Sequence, residues 1–229
     1  MTTSEPKAHR CQTRSRATSF SVLLALLALC ACSGEKQPAA GTLSGDLEPV
    51  ETALTSRSDY EDKLRQALMK KAPRSCELQF LVIASFQPEV LLSVYPVGDE
   101  YEAQVLTPVT QIWVTEGDAA AIELREAKKE LPAPIAKRLS KVWKRMLGRT
   151  RYSEAAPTVL DGVAYTFVHY DRGAWVGESS NPRSGTRPYV LAEAGEALVA
   201  YVHAQPDEEQ QLLAQVVDSL AQLEASLPK

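Results

Sequence analysis

Leu78-Gln79-Phe80-Leu81-Val82-Ile83-Ala84-Ser85-Phe86 is the stretch on which the arrangement of this chain turns. Its residues are apolar on both parities, so a strand built from it has no side that tolerates water, as befits the middle of a sheet. Partners are close at hand. Residues 90–95 and 101–106 are strand-like and flank the short turn Val97-Gly98-Asp99-Glu100, a good hairpin signal. Pro108 interrupts the run, and residues 109–115, with Trp113 on one face, read as a fourth strand. A proline has no N–H to give a ladder, so Pro108 belongs at an edge or a bulge. Farther on, Asp161-Gly162 turns into a second hairpin with arms 163–170 and 174–179 and Asp171-Arg172-Gly173 at its tip.

Helical patterns surround these strands. Ser58-Asp59-Tyr60-Glu61 is a capping box, and the helix behind it aligns Tyr60, Leu64, Ala67, Leu68 and Lys71 before Pro73 stops it. Gly117-Asp118 is expected to cap a helix over 119–130, broken by Pro132 and Pro134. A second helix over 135–147 aligns Ile135, Leu139, Val142 and Met146. The next, over 187–204, turns Leu191, Ala194, Leu198, Tyr201 and Val202 inward. The last begins at Pro206-Asp207-Glu208-Glu209, with acids at the positive end of its dipole, and repeats Leu212, Val216, Leu220, Leu223 and Leu227 at steps of four and three. Strands grouped between helices imply an α+β fold. The expected form is an antiparallel sheet of about six strands, helices packed on one face, and a helical pair inserted between the strand blocks.

The amino-terminal segment reads differently. Lys7, Arg10, Arg14 and Arg16 precede Phe20 to Ala31, twelve uncharged residues rich in Leu, Ala and Val. A membrane-crossing helix needs about 20 apolar residues. A basic region followed by a short apolar run is the build of an export leader. The run ends in Leu29-Cys30-Ala31-Cys32-Ser33, which resembles the lipobox of bacterial lipoproteins. That resemblance implies a leader over 1–31, acylation of Cys32 and, because Ser33 is not Asp, sorting to the outer membrane with the domain facing the periplasm. Cys30 is the competing site, but bulky Leu29 would then occupy the small position before it. Stable anchoring takes more than one acyl chain, and the triacylated cysteine that the resemblance implies meets that need. Residues 32–57 mix Gly, Pro, Ser and charges without period and read as a flexible tether spanning about 25–30 Å. Residues 58–229 are then a single globular domain.

Charge narrows the partners. The chain carries 25 basic and 29 acidic residues; without Lys7, Arg10, Arg14, Arg16 and Glu5 the balance is 21 to 28, or −7. That disfavours nucleic acid or an anionic lipid surface as the principal partner and leaves a protein of the cell envelope as the expected one. Once the leader is gone and Cys32 acylated, Cys76 is the remaining thiol, so no intramolecular disulfide can form.

Catalytic signatures are sparse. Of the three histidines, His169 and His203 lie beyond the leader, and no His-x-x-x-His, His-Glu-x-x-His or Cys-x-x-Cys spacing occurs. Gly-x-Ser-x-Gly, Gly-x-Gly-x-x-Gly and Gly-x-x-x-x-Gly-Lys are missing too. No cofactor or metal is implied. His169-Tyr170-Asp171 offers two members of a triad without a nucleophile elbow, and His203 sits where a cation would face a helix's negative end. Two features invite a binding reading. The polar loop over 179–188, with Arg183 and Arg187 after a strand bearing Trp175, can recognise a carboxylate or a glycan, or simply connect and cap. Lys137, Lys141, Lys144 and Arg145 belong to a row of seven cations ending at Arg151, either a surface for anionic lipid or a polyanionic glycan or the solvated side of an amphipathic helix. The function expected from all this is a lipid-anchored envelope accessory protein acting by protein–protein contact. The alternatives are an inhibitor or immunity-type lipoprotein that neutralises a basic partner, or an envelope hydrolase with an unrecognised site.

Overall fold

The computed structural model describes residues 43–50, 59–152 and 161–228. The Cys32 acylation site, the leader, Ser58 and the tether residues 32–42 and 51–57 lie outside them. The described strands form one open antiparallel sheet in the order β4-β3-β2-β1-β5-β6. They are β1 (Leu78–Ala84), β2 (Val90–Val97), β3 (Glu100–Pro108), β4 (Leu124–Leu131), β5 (Val163–Tyr170) and β6 (Ala174–Ser180). As its two-sided apolarity requires, β1 is central, pairing with β2 through Phe80↔Leu92 and with β5 through Phe80↔Phe167. The fold is α+β.

Alternation along the strands sends side chains to two cores. Leu78, Phe80, Leu92, Val94, Ala103, Val105, Tyr165 and Phe167 face the three long helices α2 (Ala133–Leu147), α3 (Arg187–His203) and α4 (Pro206–Ser226). Leu81, Leu91 and Leu106 face the other way, against a short α1 (Asp59–Leu64), the wide π turn Arg65–Met69 that continues it, and Ile112. The long helices thus share one face while α1 covers part of the opposite one. Val216, Leu220 and Leu223 of α4 are fully buried, as its four-and-three spacing demands. Among the described residues no helix is long and apolar enough to cross a membrane.

Two expected elements are replaced. Residues 119–130 form no helix. Asp118 caps a single 3-10 turn, Ala119–Ala121, and the chain then extends as β4 on the outer edge of β3. Leu124-Arg-Glu-Ala-Lys-Lys-Glu-Leu131 is made of strong helix formers, which is why its composition misleads. Cross-strand pairing overrides that preference: Gln104 of β3 donates to Glu126 at 2.7 Å, and Lys128 lies 3.9 Å from Glu102 of β3. The helical pair between the strand blocks is therefore one helix, α2. Residues 109–115, expected as a strand, make a loop around the 3-10 turn Ile112–Val114, held because buried Glu89 accepts the Ile112 N–H at 2.9 Å and the Tyr60 hydroxyl at 2.9 Å. Pro108 is the last residue of β3.

Part of the expected tether is also integral to the domain. Leu47 is 0 % exposed in the helix-side core, Glu48 exchanges two 2.8 Å backbone hydrogen bonds with Glu178 of β6, and Ser44 bridges to Thr186. Beyond these backbone pairs the docking uses one buried leucine, Leu47, and the buried side chain of one aspartate, Asp46, too few residues for any periodicity to show.

The helix-side core closes around aromatic rings. Phe80 stacks on Tyr165 at 5.6 Å and meets Trp143 of α2 edge-on at 6.2 Å and Phe167 at 5.2 Å. Above Phe80 lies Gly195 of α3, where an added Cβ would stand 2.6 Å from the ring. Alanine would raise helix propensity by about 1 kcal/mol, but Phe80 is wedged among three rings, and overpacking costs roughly 1–3 kcal/mol. Gly195→Ala is expected to lose about 1–2 kcal/mol in urea denaturation, the reverse of the usual effect at a helical glycine.

Candidate functional site

The residues expected to bind are mostly engaged inside the chain. Arg187 opens α3 behind its cap Thr186 and is buried. Its guanidinium lies 2.8 Å from Asp46 and donates to the carbonyls of Gly45 at 2.7 Å and Leu43 at 3.3 Å. The Asp46 side chain, 2 % exposed, also meets Arg149 at 3.2 Å and Arg151 at 2.8 Å. Arg187 therefore fastens the 43–50 segment and is not a free recognition residue. Arg183 does stand in solvent, and Trp175 is part-exposed on β6, opposite His169 in register. The basic face is similarly committed. Arg138 grips Glu224 of α4 through two hydrogen bonds of 3.0 and 2.7 Å, Lys144 pairs with Asp171, and Arg145 donates to the carbonyls of Leu227 and Pro228. Only Lys137 and Lys141 of that row stand in solvent with no hydrogen-bonded or ion-paired partner among the described residues.

His169 comes to rest beside a hydroxyl and a carboxylate. It lies on the helix face of β5, 4 % exposed, with Nε2 3.1 Å from Ser140 Oγ of α2. Ser140 in turn donates a short hydrogen bond to Glu77 at the start of β1. Because the single serine proton goes to Glu77, the imidazole must be the donor to Oγ, carrying its hydrogen on Nε2. Nδ1 is then an acceptor, buried without a partner among the described residues. A nucleophilic serine needs the reverse, its proton given to the imidazole and the carboxylate on Nδ1. The trio is a relay from imidazole to carboxylate through a hydroxyl, and it ties β5, α2 and β1 together. Asp171, the other expected triad member, belongs to Lys144, which holds its carboxyl below the usual range. Desolvation lowers the His169 pKa against the pull of Glu77, and desolvation with the Lys129 ammonium lowers that of His203, so the expected cation at the end of α3 is disfavoured. Cys76 donates to the Leu78 carbonyl, and burial pushes its thiol up to about 11, which suppresses the reactive thiolate.

A cavity of about 360 Å³ opens between the start of β5, the end of β6 and the outer side of α3, lined by Tyr165, Asn181, Pro182, Tyr189, Glu193 and Glu196. Asn181 fixes its wall: at φ +47° it accepts the Val163 N–H at 2.9 Å, and its side chain fills the space where any Cβ on Gly162 would fall. Tyr165 donates to Glu196 at 2.6 Å. Partial desolvation and then the like charge of Glu196 raise the Glu193 carboxyl, opposed by its hydrogen bond with Tyr189. Two carboxylates one helical turn apart between tyrosine rings complement an ammonium or a guanidinium. This site is missing from the sequence reading. The trace it leaves there is Glu-x-x-Glu at 193–196, on a helix judged only by its apolar face. Among the described residues no group of three or more His, Cys, Asp or Glu is placed to hold a metal ion. No family model, curated protein or solved structure matches this chain.

Two stability measurements check these assignments. Removing one member of a buried ion pair costs about 3 kcal/mol or more, so Arg187→Ala is expected to lose at least that in denaturant unfolding, while Arg183→Ala stays within about 0.5 kcal/mol. Above pH 6.5 His169 is neutral folded or unfolded. As pH falls below 6.5 the unfolded chain protonates first, so stability drops until the pH passes the lowered folded-state value. His169→Gln is expected to flatten the fall in unfolding free energy between pH 7.5 and pH 5.

Proposed function

We propose that this chain is a lipid-anchored accessory protein of the outer membrane, facing the periplasm, that works by protein–protein contact and not by catalysis. The observation that carries this is an apolar surface at one end of the sheet. Phe86 is 80 % exposed in the loop after β1 and Trp113 63 % exposed in the loop after β3, with Val109 and Val114 beside it in sequence. Gln111 draws the two loops together by donating to the carbonyls of Ser85 and Gln87. Large apolar groups held outward in this way are a feature of contact surfaces. The polarity of the Ser140–His169 bond supports binding over hydrolysis. The lipobox-like Leu29-Cys30-Ala31-Cys32 supports the anchor.

A second reading rests on the carboxylate-lined cavity, which fits a lysine or arginine side chain from a basic protein that this one inhibits. Both are checked by a photo-reactive amino acid placed in the full chain in its native membrane, at 113, at 189 or at the exposed Asp207 as reference. The contact reading expects a discrete crosslinked protein from 113 that Phe86→Asp abolishes. The inhibitor reading expects it from 189, lost with Glu193→Gln and Glu196→Gln. Crosslinks no stronger than those from 207 would overturn both, and an unacylated Cys32 in the mass spectrum would overturn the anchor.

A further inference from the structure

The docking of residues 43–50 shortens the chain that separates the domain from its expected anchor. Ten residues, 33–42, lie between Cys32 and Leu43. Fully extended, ten residues span at most about 35 Å. The face around Leu43 is therefore the one kept nearest the bilayer. Arg187 locates that face, since its Nη1 reaches the carbonyl of Leu43 at 3.3 Å and that of Ser226 at 3.4 Å, so the chain leaves beside the start of α3 and the end of α4.

This exit is basic in a chain that is otherwise acidic. Arg145 lies on the carbonyls of Leu227 and Pro228 just past α4, while Arg149 and Arg151 join Arg187 around the single carboxylate of Asp46. One carboxylate faces three guanidiniums, and Arg151 extends 70 % of its side chain into solvent. Among the described residues, Glu48 and Glu178 carry the backbone pairing that joins this segment to β6, and Glu224 is matched to Arg138. Beside these cations stand two amphipathic rings: Tyr152, 72 % exposed, and Trp175 near Gly148 at the end of α2. Arginines with tyrosine and tryptophan are the composition that settles at a phospholipid headgroup layer.

We propose that Arg149 and Arg151, with Tyr152 and Trp175, rest on the anionic headgroups of the membrane that holds the anchor, which fixes the domain's orientation there. The inference rests on the lipid-anchor reading. Its test uses the full chain with its native amino terminus, reconstituted in vesicles of phosphatidylcholine alone or mixed with phosphatidylglycerol. A fluorescent amino acid stands at 152 or, as reference, at the exposed Glu100, and a headgroup nitroxide lipid is the quencher. Flotation reads the anchor and quenching reads the orientation. Expected are flotation with both vesicles, severalfold stronger quenching at 152 than at 100 on the anionic ones, and its fall to the reference level on neutral lipid or in Arg149→Glu/Arg151→Glu. Equal quenching at the two positions, or quenching at 152 indifferent to lipid charge, would overturn the orientation with the anchor intact. Failure to float with either vesicle would remove the anchor reading, and this inference with it.

Discussion

The close approach of Gly195 to Phe80 is the constraint under which the rest of the structure is assembled. Phe80 is the middle of the central strand, and the rings of Tyr165, Phe167 and Trp143 reach it from β5 and α2. A helix can settle on that cluster only where it offers no side chain of its own. Once α3 lies there, nearly every other side of it must be covered, and Val190, Leu191, Ala194, Leu198 and Val202 are all buried. The apolar stripe of α4 is what completes the covering.

How far the sequence discloses this depends on how many residues each feature is written over. The two-sided apolarity that begins at Leu78, the alternation in both hairpins and the leucine repeat of α4 extend over whole elements and are realised. The central strand, however, ends at Ala84 and leaves Ser85 and Phe86 in the following turn. β4 was hidden because Lys, Glu and Ala report solvent exposure and helix preference with equal force, while the pairing that decides between them comes from Gln104 and Glu102 across the sheet. The docking of 43–50 rests on backbone hydrogen bonds that any sequence can make, with Leu47 and Asp46 as its buried side chains. The cavity was hidden by another cause, for Asn181 and Glu196 are separate in the chain and become neighbours only when β6 turns into α3.

Charge tells a similar story about the candidate sites. A row of cations on α2 looks available for ligands, yet Arg138, Lys144 and Arg145 hold α4, the β5–β6 tip and the chain's last carbonyls. Arg187 likewise serves the 43–50 segment. Among the groups left free to meet another molecule are some with no strong local signature, such as Phe86 and Trp113. Sequence identifies charged residues readily but not whether a charge is already matched, which is a property of the folded chain.

The two borders of the sheet also shape how this molecule behaves in company. An open sheet offers unpaired backbone groups at both margins, and such margins recruit other chains. Here the β6 margin is occupied at Glu178 by Glu48, and the β4 margin carries Arg125, Glu126, Lys128, Lys129 and Glu130. Guarded borders of this kind oppose margin-to-margin pairing between copies, so that a concentrated population stays dispersed and does not pass into fibrous association.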